Sequence, residues 1–423
     1  AAWALHLMGC WGVITDPEHS EKFFQDIADT MSAHKEKLSR VGLLRTDGSK
    51  NMQRIRDRVK ELLGEKTKYT PKGNIAIGEE VLLSTGDDGL ASLVEFQKAQ
   101  KLDSVWSKHI KQGSNPDTPI HARFHCLVES GRTSCSSPNL QNPHRATGLR
   151  ECFVPRPGYL YAACDYSTLE LCTLAQVNTW LFGTANMPEK PKAGIDLHLH
   201  FAAQLLDISY EEALARIGEK DELVKEARQM AKAANFGYPG SMGSWGFKLY
   251  AKGYGLDITE QTAKKLRDDW FRTWPEMEGY FEFVRSIVGE AEGTIEHFIS
   301  QRGRGKVRFS QACNSFFQGL AADGAKAALF EASRQAYTNP ESPLYGSRPI
   351  MFIHDEIIAE VPIEKAAGAA EELSRIMREE MQKFTPDIPI KTSVALMDRW
   401  YKNAEEVRDA NGALQQWRPE TRS

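Results

Sequence analysis

Four acidic residues in this chain stand where carboxylates could do chemistry. Asp165 and Glu170 share the segment DYSTLELC, and Asp355 and Glu356 share IMFIHDEIIAEV. Asp165 closes an apolar run of strand length, and Asp355-Glu356 separates two short β-favouring runs. Both sets would therefore be presented from rigid strand ends. Oxygen ligands in such places suit magnesium, and phosphoryl transfer uses two such ions about 4 Å apart, bridged by carboxylates. One ion lowers the pKa of the attacking hydroxyl and the other stabilises the leaving pyrophosphate. Each acid also has an ordinary reading: Ser167-x-x-Glu170 has the form of a capping box, and Asp355-Glu356 could be a polar hairpin tip.

A cationic stripe accompanies them. In KEARQMAKAANFGYPG, Arg228, Lys232 and Phe236 recur at i, i+4 and i+8 and share one helical face. Like charges at that spacing cost about 0.2–0.5 kcal/mol, and neither cation has an acid three or four residues away. The pair therefore calls for an anion from outside the helix. A triphosphate with a stacked base would satisfy it; a solvated cationic face is the plain alternative.

The elements that must position these groups follow from pattern. Residues 20–66 read as helices around a loop near 42–49, residues 67–92 are turn-rich, and a helix pattern returns over 90–111. Residues 121–129 look like a strand, 131–145 irregular, and 159–164 a strand. From 167 to about 337 the chain reads as helical, with breaks at 183–194, 239–243 and 303–305. A hairpin over 350–361, a helix over 364–384 and a strand near 391–396 close it. The pattern predicts an α+β fold with a large helical insertion.

The 423 residues exceed one ordinary core, and 41% hydrophobic with 26% charged residues is the balance of a globular enzyme. No apolar run approaches the ~20 residues of a membrane span, and the apolar opening stretch lacks the marks of a secretion signal. The seven cysteines include no C-x-x-C pair, which argues against a zinc site or disulfide framework and for a reducing, intracellular compartment. Net charge is −4, but residues 35–72 carry twelve Lys/Arg against five acids, and Arg302, Arg304, Lys306 and Arg308 cluster in a Gly-punctuated segment. Either stretch could track phosphates or be a solvated face.

With these residues in view, the chain resembles family A (DNA polymerase I-like) DNA polymerases. DYSTLELC resembles the family's motif A, ARQMAKAANFGYPG its motif B (R-x3-K-x3-F-G), and IHDE its motif C. In the family's order, GCWGVITD, HARFHCLVESGRTSCSSPNLQN, Asp196-Leu197-His198 and CNSFFQGLAADGAK resemble four further segments. The resemblance spans roughly residues 5–401. It implies a right-hand fold with an antiparallel-sheet palm (121–178 and 296–423), helical fingers (179–295) and a helical thumb (1–120). The implied reaction is template-directed extension of a primer 3′-OH with dNTPs, releasing pyrophosphate.

Residue by residue, the resemblance implies that Asp165, Asp355 and the Tyr166 carbonyl hold two Mg2+, for which Mn2+ could substitute. Glu170 would exclude a ribose 2′-OH. Arg228, Lys232 and His198 would grip the triphosphate, with Lys232 protonating pyrophosphate, while Phe236 and Tyr238 would line the sugar and base pocket. Arg132, Asn139, Gln141, Asn314, Gln318, His354 and Glu356 would contact primer–template DNA. The implied partners are primer–template and dNTPs, not membrane, with a monomer expected in a cytoplasmic, host-cell or organellar compartment that contains DNA. No acidic D-x-E constellation for a 3′–5′ exonuclease is visible in this chain, which starts at Ala1 and reads as a fragment of a longer polypeptide.

The sequence departs from the family at Cys172, where motif A usually has Arg, in a motif B one residue shorter after Asn235-Phe236-Gly237, and at Phe317. Two rivals share features. A single-subunit RNA polymerase would use the same palm chemistry but is disfavoured by Glu170 and by Phe236 in place of Tyr. A degenerate, non-catalytic DNA-binding scaffold is disfavoured by the intact Asp165, Asp355, Arg228 and Lys232.

Overall fold

The structure, a computed structural model, describes residues 1–143 and 148–419. Its centre is a four-stranded sheet built from β1 (Tyr159–Tyr166), β2 (Arg348–Ile353), β3 (Glu356–Pro362) and β4 (Thr392–Met397), in the order β4-β1-β3-β2 and antiparallel throughout. Strand β3 is buried along nearly its whole length, Glu360 included, and β1 at Tyr161, Ala162, Cys164 and Tyr166. Helix α1 (Leu169–Phe182) packs on α5 (Phe309–Thr338), which in turn packs on β2, while α6 (Ala366–Gln382) packs on β1, β3 and β4. Between α1 and α5 come α2 (Leu197–Leu206), α3 (Glu222–Gly237), α4 (Ser244–Lys252) and further helices that share the same core through Phe201, Phe247, Trp270 and Trp274.

Helices Pro17–Arg40 and Asp88–Gly113 stand together at one side. Each is capped by an aspartate: Asp16 accepts from the His19 amide at 2.6 Å and Asp87 from the Leu90 amide at 2.9 Å. With helix Met52–Leu63 they close a separate apolar cluster around Leu38, Ile55, Leu82 and Leu93. The opening stretch forms a helix, Ala2–Trp11, which buries Ala4, Leu5 and Met8 in the main core. The Trp11 indole donates to the buried Glu360 carboxylate at 2.8 Å, and Arg156 completes the lock at 3.0 Å.

Several expectations need correction. The strand expected over 121–129 shortens to Arg123–His125. It pairs with Ser134–Ser136, a strand inside a stretch read as irregular; residues 144–147 of that stretch lie outside the described residues. The Gly-punctuated basic segment is a hairpin, Gly293–Glu296 with Gly303–Val307, where only a helix break was expected. Three of its four cations are paired: Arg302 with Asp323 at 3.3 Å, Arg304 with Glu129 at 3.6 Å and Arg308 with Glu292 at 3.5 Å. Alternation is too short in such three-pair ladders to announce itself in sequence.

His297, 2% exposed, lies against Gly319 of α5, and no ring-nitrogen hydrogen bond is present among the described residues. Burial holds its pKa down at about 4, with Arg302 adding repulsion. The unfolded chain, with an ordinary histidine near 6.5, takes up that proton first. The group's stabilising contribution is therefore complete above pH 6.5 and lost as pH falls from about 6.5 toward 4. His297→Leu should flatten the fall in Tm across that window by about one proton's worth of slope, as read by thermal denaturation at stepped pH.

Candidate active site

Register brings the acids together. In the β1–β3 ladder Asp165 faces Glu356, a pairing that sets Cα atoms about 5 Å apart, and Asp355 is the next residue. The turn between β2 and β3 consists of His354 and Asp355, closed by the Ile353–Glu356 pair. His354 takes φ 60°, the left-handed value that tight two-residue turns need and that a side chain adopts at a cost. A second left-handed residue, Thr168 at φ 53°, starts α1 without a side-chain cap. The capping box therefore does not form. Glu170 instead pairs with Arg132, and its other oxygen accepts from Gln318 at 3.4 Å.

Asp165, Glu170, His354 and Asp355, with Arg132 and Gln318, line one cavity of about 890 Å³, together with Tyr166, His198, Arg228, Lys232 and Phe236. Its walls raise the acids. Loss of water and the neighbouring Glu356 charge push Asp165 up, with Lys232 pulling the other way. Burial, then Asp165 and Glu170, push Asp355 up. Burial lifts Glu356 to about 7 against the pull of Arg150. Crowded carboxylates that resist ionisation are what a cation would relieve. The donors present, two aspartates and the Tyr166 carbonyl region, are oxygen atoms suited to Mg2+. No cluster of three or more His, Cys, Asp or Glu in ligating geometry occurs among the described residues. Substrate oxygens and water would complete the shell, as is usual for this ion.

On the opposite wall, the cationic stripe finds a partner the sequence hid. Arg228 pairs with Asp196 at 2.8 Å, and the other Asp196 oxygen caps α2 by accepting from the His198 amide at 2.7 Å and the Leu199 amide at 3.1 Å. Lys232 forms no ion pair among the described residues. His198 is buried and held neutral, its pKa lowered by burial and then by Arg228 and Lys232 despite Asp196. Its tautomer is fixed from behind. The Asn235 carbonyl oxygen accepts from the indoles of Trp270 (2.9 Å) and Trp274 (3.3 Å), which turns the Asn235 amide nitrogen toward His198 Nδ1 at 3.2 Å. Nδ1 therefore accepts, and Nε2 carries the proton.

Not every expected residue reaches the cavity. Tyr238 is 1% exposed, stacked on Phe247 at 4.4 Å, and its hydroxyl donates to the Ala263 carbonyl at 2.8 Å. It belongs to the core, against Phe247 and Trp270, rather than to the cavity wall. Gln141 is buried and donates to Thr133 (2.8 Å) and the Phe352 carbonyl (2.7 Å), bracing β2 behind the turn. Asn139 is exposed and accepts from the Gln141 amide at 3.0 Å. Asn314 bonds the Ser310 carbonyl at 3.0 Å and packs on Gly240, one turn from Gln318 on the same face of α5. Glu356 sits behind the turn rather than in the cavity wall. Cys172 is buried in α1, its thiol pushed up to about 11 by burial. Sequence reasoning missed Gln229, Tyr250 and Tyr254, which also line the cavity.

The family model for DNA polymerase family A matches residues 18–402. The chain belongs to DNA polymerase family A. A DNA polymerase I of Aquifex aeolicus is 29% identical over 343 residues, covering 79% of this chain and 55% of that protein. That of Geobacillus stearothermophilus is 29% identical over 330 residues, covering 73% and 34%. The chain thus spans about half or less of the curated relatives it matches. A solved structure described as the POL domain of Pol1 from M. smegmatis in complex with DNA primer-template and dNTP superposes with a TM-score of 0.73. At 23% identity it covers 94% of this chain and 69% of that one, so the α+β fold is that of a family A polymerase domain.

Asp196 does two tasks, capping α2 and holding Arg228. Asp196→Ala should lower stability by about 1–3 kcal/mol, the sum of a lost cap and an orphaned, half-buried guanidinium, and thermal unfolding checks it.

Proposed function

We propose that this chain extends a primer 3′-OH by template-directed addition of deoxynucleotides from dNTPs, releasing pyrophosphate. The observation that carries this reading is that Asp165, near the end of β1, and Asp355, in the turn beside it, line a single cavity with Arg228 and Lys232. Asp165, Asp355 and the Tyr166 carbonyl would hold two Mg2+. When bound, those ions supply charge neutralisation at the attacking and leaving oxygens. Arg228 exchanges Asp196 for the triphosphate, Lys232 meets it directly and holds a proton at Nζ for the leaving pyrophosphate, and His198 donates from Nε2–H. Phe236 bears on sugar and base. Catalysis is then mainly positioning and charge stabilisation in a walled site.

The Glu170 carboxylate, pinned by Arg132 and Gln318, stands where a ribose 2′-OH would compete for space, which supports dNTP over rNTP use and disfavours the RNA polymerase reading. Arg132 and Gln318 would release Glu170 to reach the minor-groove edge of the primer–template, with Asn314 on the same face. His354 and Glu356 flank the primer terminus. Asn139 and Gln141 act from behind, through the backbone they hold. We read 1–120 as thumb, 179–295 as fingers and the remainder as palm. The basic stretch 35–72 offers phosphates fewer free charges than its composition suggests, since Arg40, Arg58 and Lys68 pair with Glu36, Asp87 and Glu80.

Asp355→Ala should reduce Mg2+-dependent primer extension by at least about a thousandfold while primer–template Kd stays within a few-fold. Undiminished extension would refute the metal role. Glu170→Ala should erode dNTP-over-rNTP discrimination on the order of 100-fold, measured as the ratio of kcat/KM for single-nucleotide insertion.

A further inference from the structure

The aromatic surface expected from Tyr238 is missing from the cavity, and another is there. Tyr250 of α4 and Tyr254, two residues beyond that helix, both line it beside Phe236, Gln229 and Glu170. Their hydroxyls lie 3.0 Å apart and their rings 5.2 Å apart. They are tied to the cationic helix at two points. A Cβ at Gly237, the residue after Phe236, would meet Phe247 at 3.1 Å and Tyr250 at 3.4 Å, so the bare glycine lets α4 pack directly on α3. The Gln229 side chain, next to Arg228, donates to the Tyr254 carbonyl at 3.3 Å.

An aromatic file thus runs Tyr238, Phe247, Tyr250, Tyr254 from the core to the cavity, with centroid spacings of 4.4, 6.2 and 5.2 Å. Its inner end is sealed; its outer end is half-buried and faces the space beside the triphosphate cations. Meanwhile Gly240, just beyond α3, has no side chain to offer, because a Cβ there would strike the Asn314 amide at 2.6 Å. At this end of the cavity α4 and the turn after it add two aromatic rings to that of Phe236.

We propose that Tyr250, braced by Tyr254, is a positioning residue for the nascent base pair, its ring forming the flat apolar surface against which the bases are held. This rests on the polymerase reading above. A ring anchored to the helix that carries Arg228 and Lys232 makes base fit and triphosphate grip parts of one rigid unit. A mispaired base would then displace the cations as well as the ring.

Single-nucleotide insertion on a defined primer–template tests it. Tyr250→Leu keeps bulk and removes the π-face. It should raise the KM for the correct dNTP on the order of tenfold, the loss expected of one aromatic–base stack. The misinsertion ratio should rise with it, while kcat, primer–template Kd and Tm stay near wild type. Tyr250→Phe, which keeps the ring but loses the same hydroxyl contact to Tyr254, should raise KM only about threefold. Tyr254→Phe, which removes the brace and keeps the ring, should raise KM about threefold. A leucine variant with wild-type KM and misinsertion overturns the proposal. So does one whose KM and primer–template Kd worsen together with a fallen Tm, the mark of a merely structural ring. If the leucine variant does not fold, a wild-type KM in Tyr254→Phe overturns it. Wild-type protein that extends no primer would sink the polymerase reading instead, a result distinct from any of these.

Discussion

Three carboxylates, Asp165, Asp355 and Glu356, are gathered at the ends of two neighbouring strands in surroundings that oppose their charge. Left to itself such a cluster would spread apart or fill with protons. It persists because each acid is fixed by something rigid. Asp165 is the penultimate residue of a central strand bonded on both sides. Asp355 lies in a two-residue turn that forces His354 into a left-handed conformation, and β2 behind that turn is braced by Gln141. Strain and charge crowding of this kind are sustained only where the surrounding core over-determines the geometry, and here the apolar faces of the sheet supply that core.

The cations of the cavity rest in provisional partnerships. Arg228 holds Asp196 and Arg132 holds Glu170, so neither charge is left uncompensated in a partly desolvated wall. A substrate must offer Arg228 at least as good an anion as Asp196, which a triphosphate does. Arg132 can leave Glu170 only when another donor arrives, which makes the ion pair a threshold as well as a support. Lys232, without such a partner, is the cation ready at once. The same logic explains the neutral His198: beside two cations a third charge would be costly, whereas an Nε2–H aimed by Asn235 and two tryptophans serves as a dipole.

Much of this was legible in the sequence because it rests on local pattern. The strand ending at Asp165, the hairpin bearing Asp355 and the i, i+4, i+8 stripe of Arg228, Lys232 and Phe236 follow from short-range spacing alone. What was not legible depends on partners far along the chain. Asp196 meets Arg228 from another helix, so a search within three or four residues of Arg228 could not find it. Ser167-x-x-Glu170 has the letters of a capping box, yet Thr168 takes a left-handed conformation and Glu170 turns to Arg132, a tertiary pull that outweighs a local preference. Tyr238 carried the expected residue type, but its partners, Phe247 and the Ala263 carbonyl, lie in the core on later helices. The hint toward Tyr250 and Tyr254 was present as two aromatics four residues apart after a glycine-rich break, a spacing that puts both on one side of a helix end.

The central claim is that Asp165 and Asp355 bind the same divalent ions. Anomalous diffraction from crystals grown with primer–template, a non-hydrolysable dNTP analogue and Mn2+ tests it most directly. Two manganese peaks about 4 Å apart are expected, with carboxylate oxygens of residues 165 and 355 both about 2.0–2.2 Å from a shared ion. A ternary complex with bound nucleotide in which no ion touches both carboxylates would contradict it.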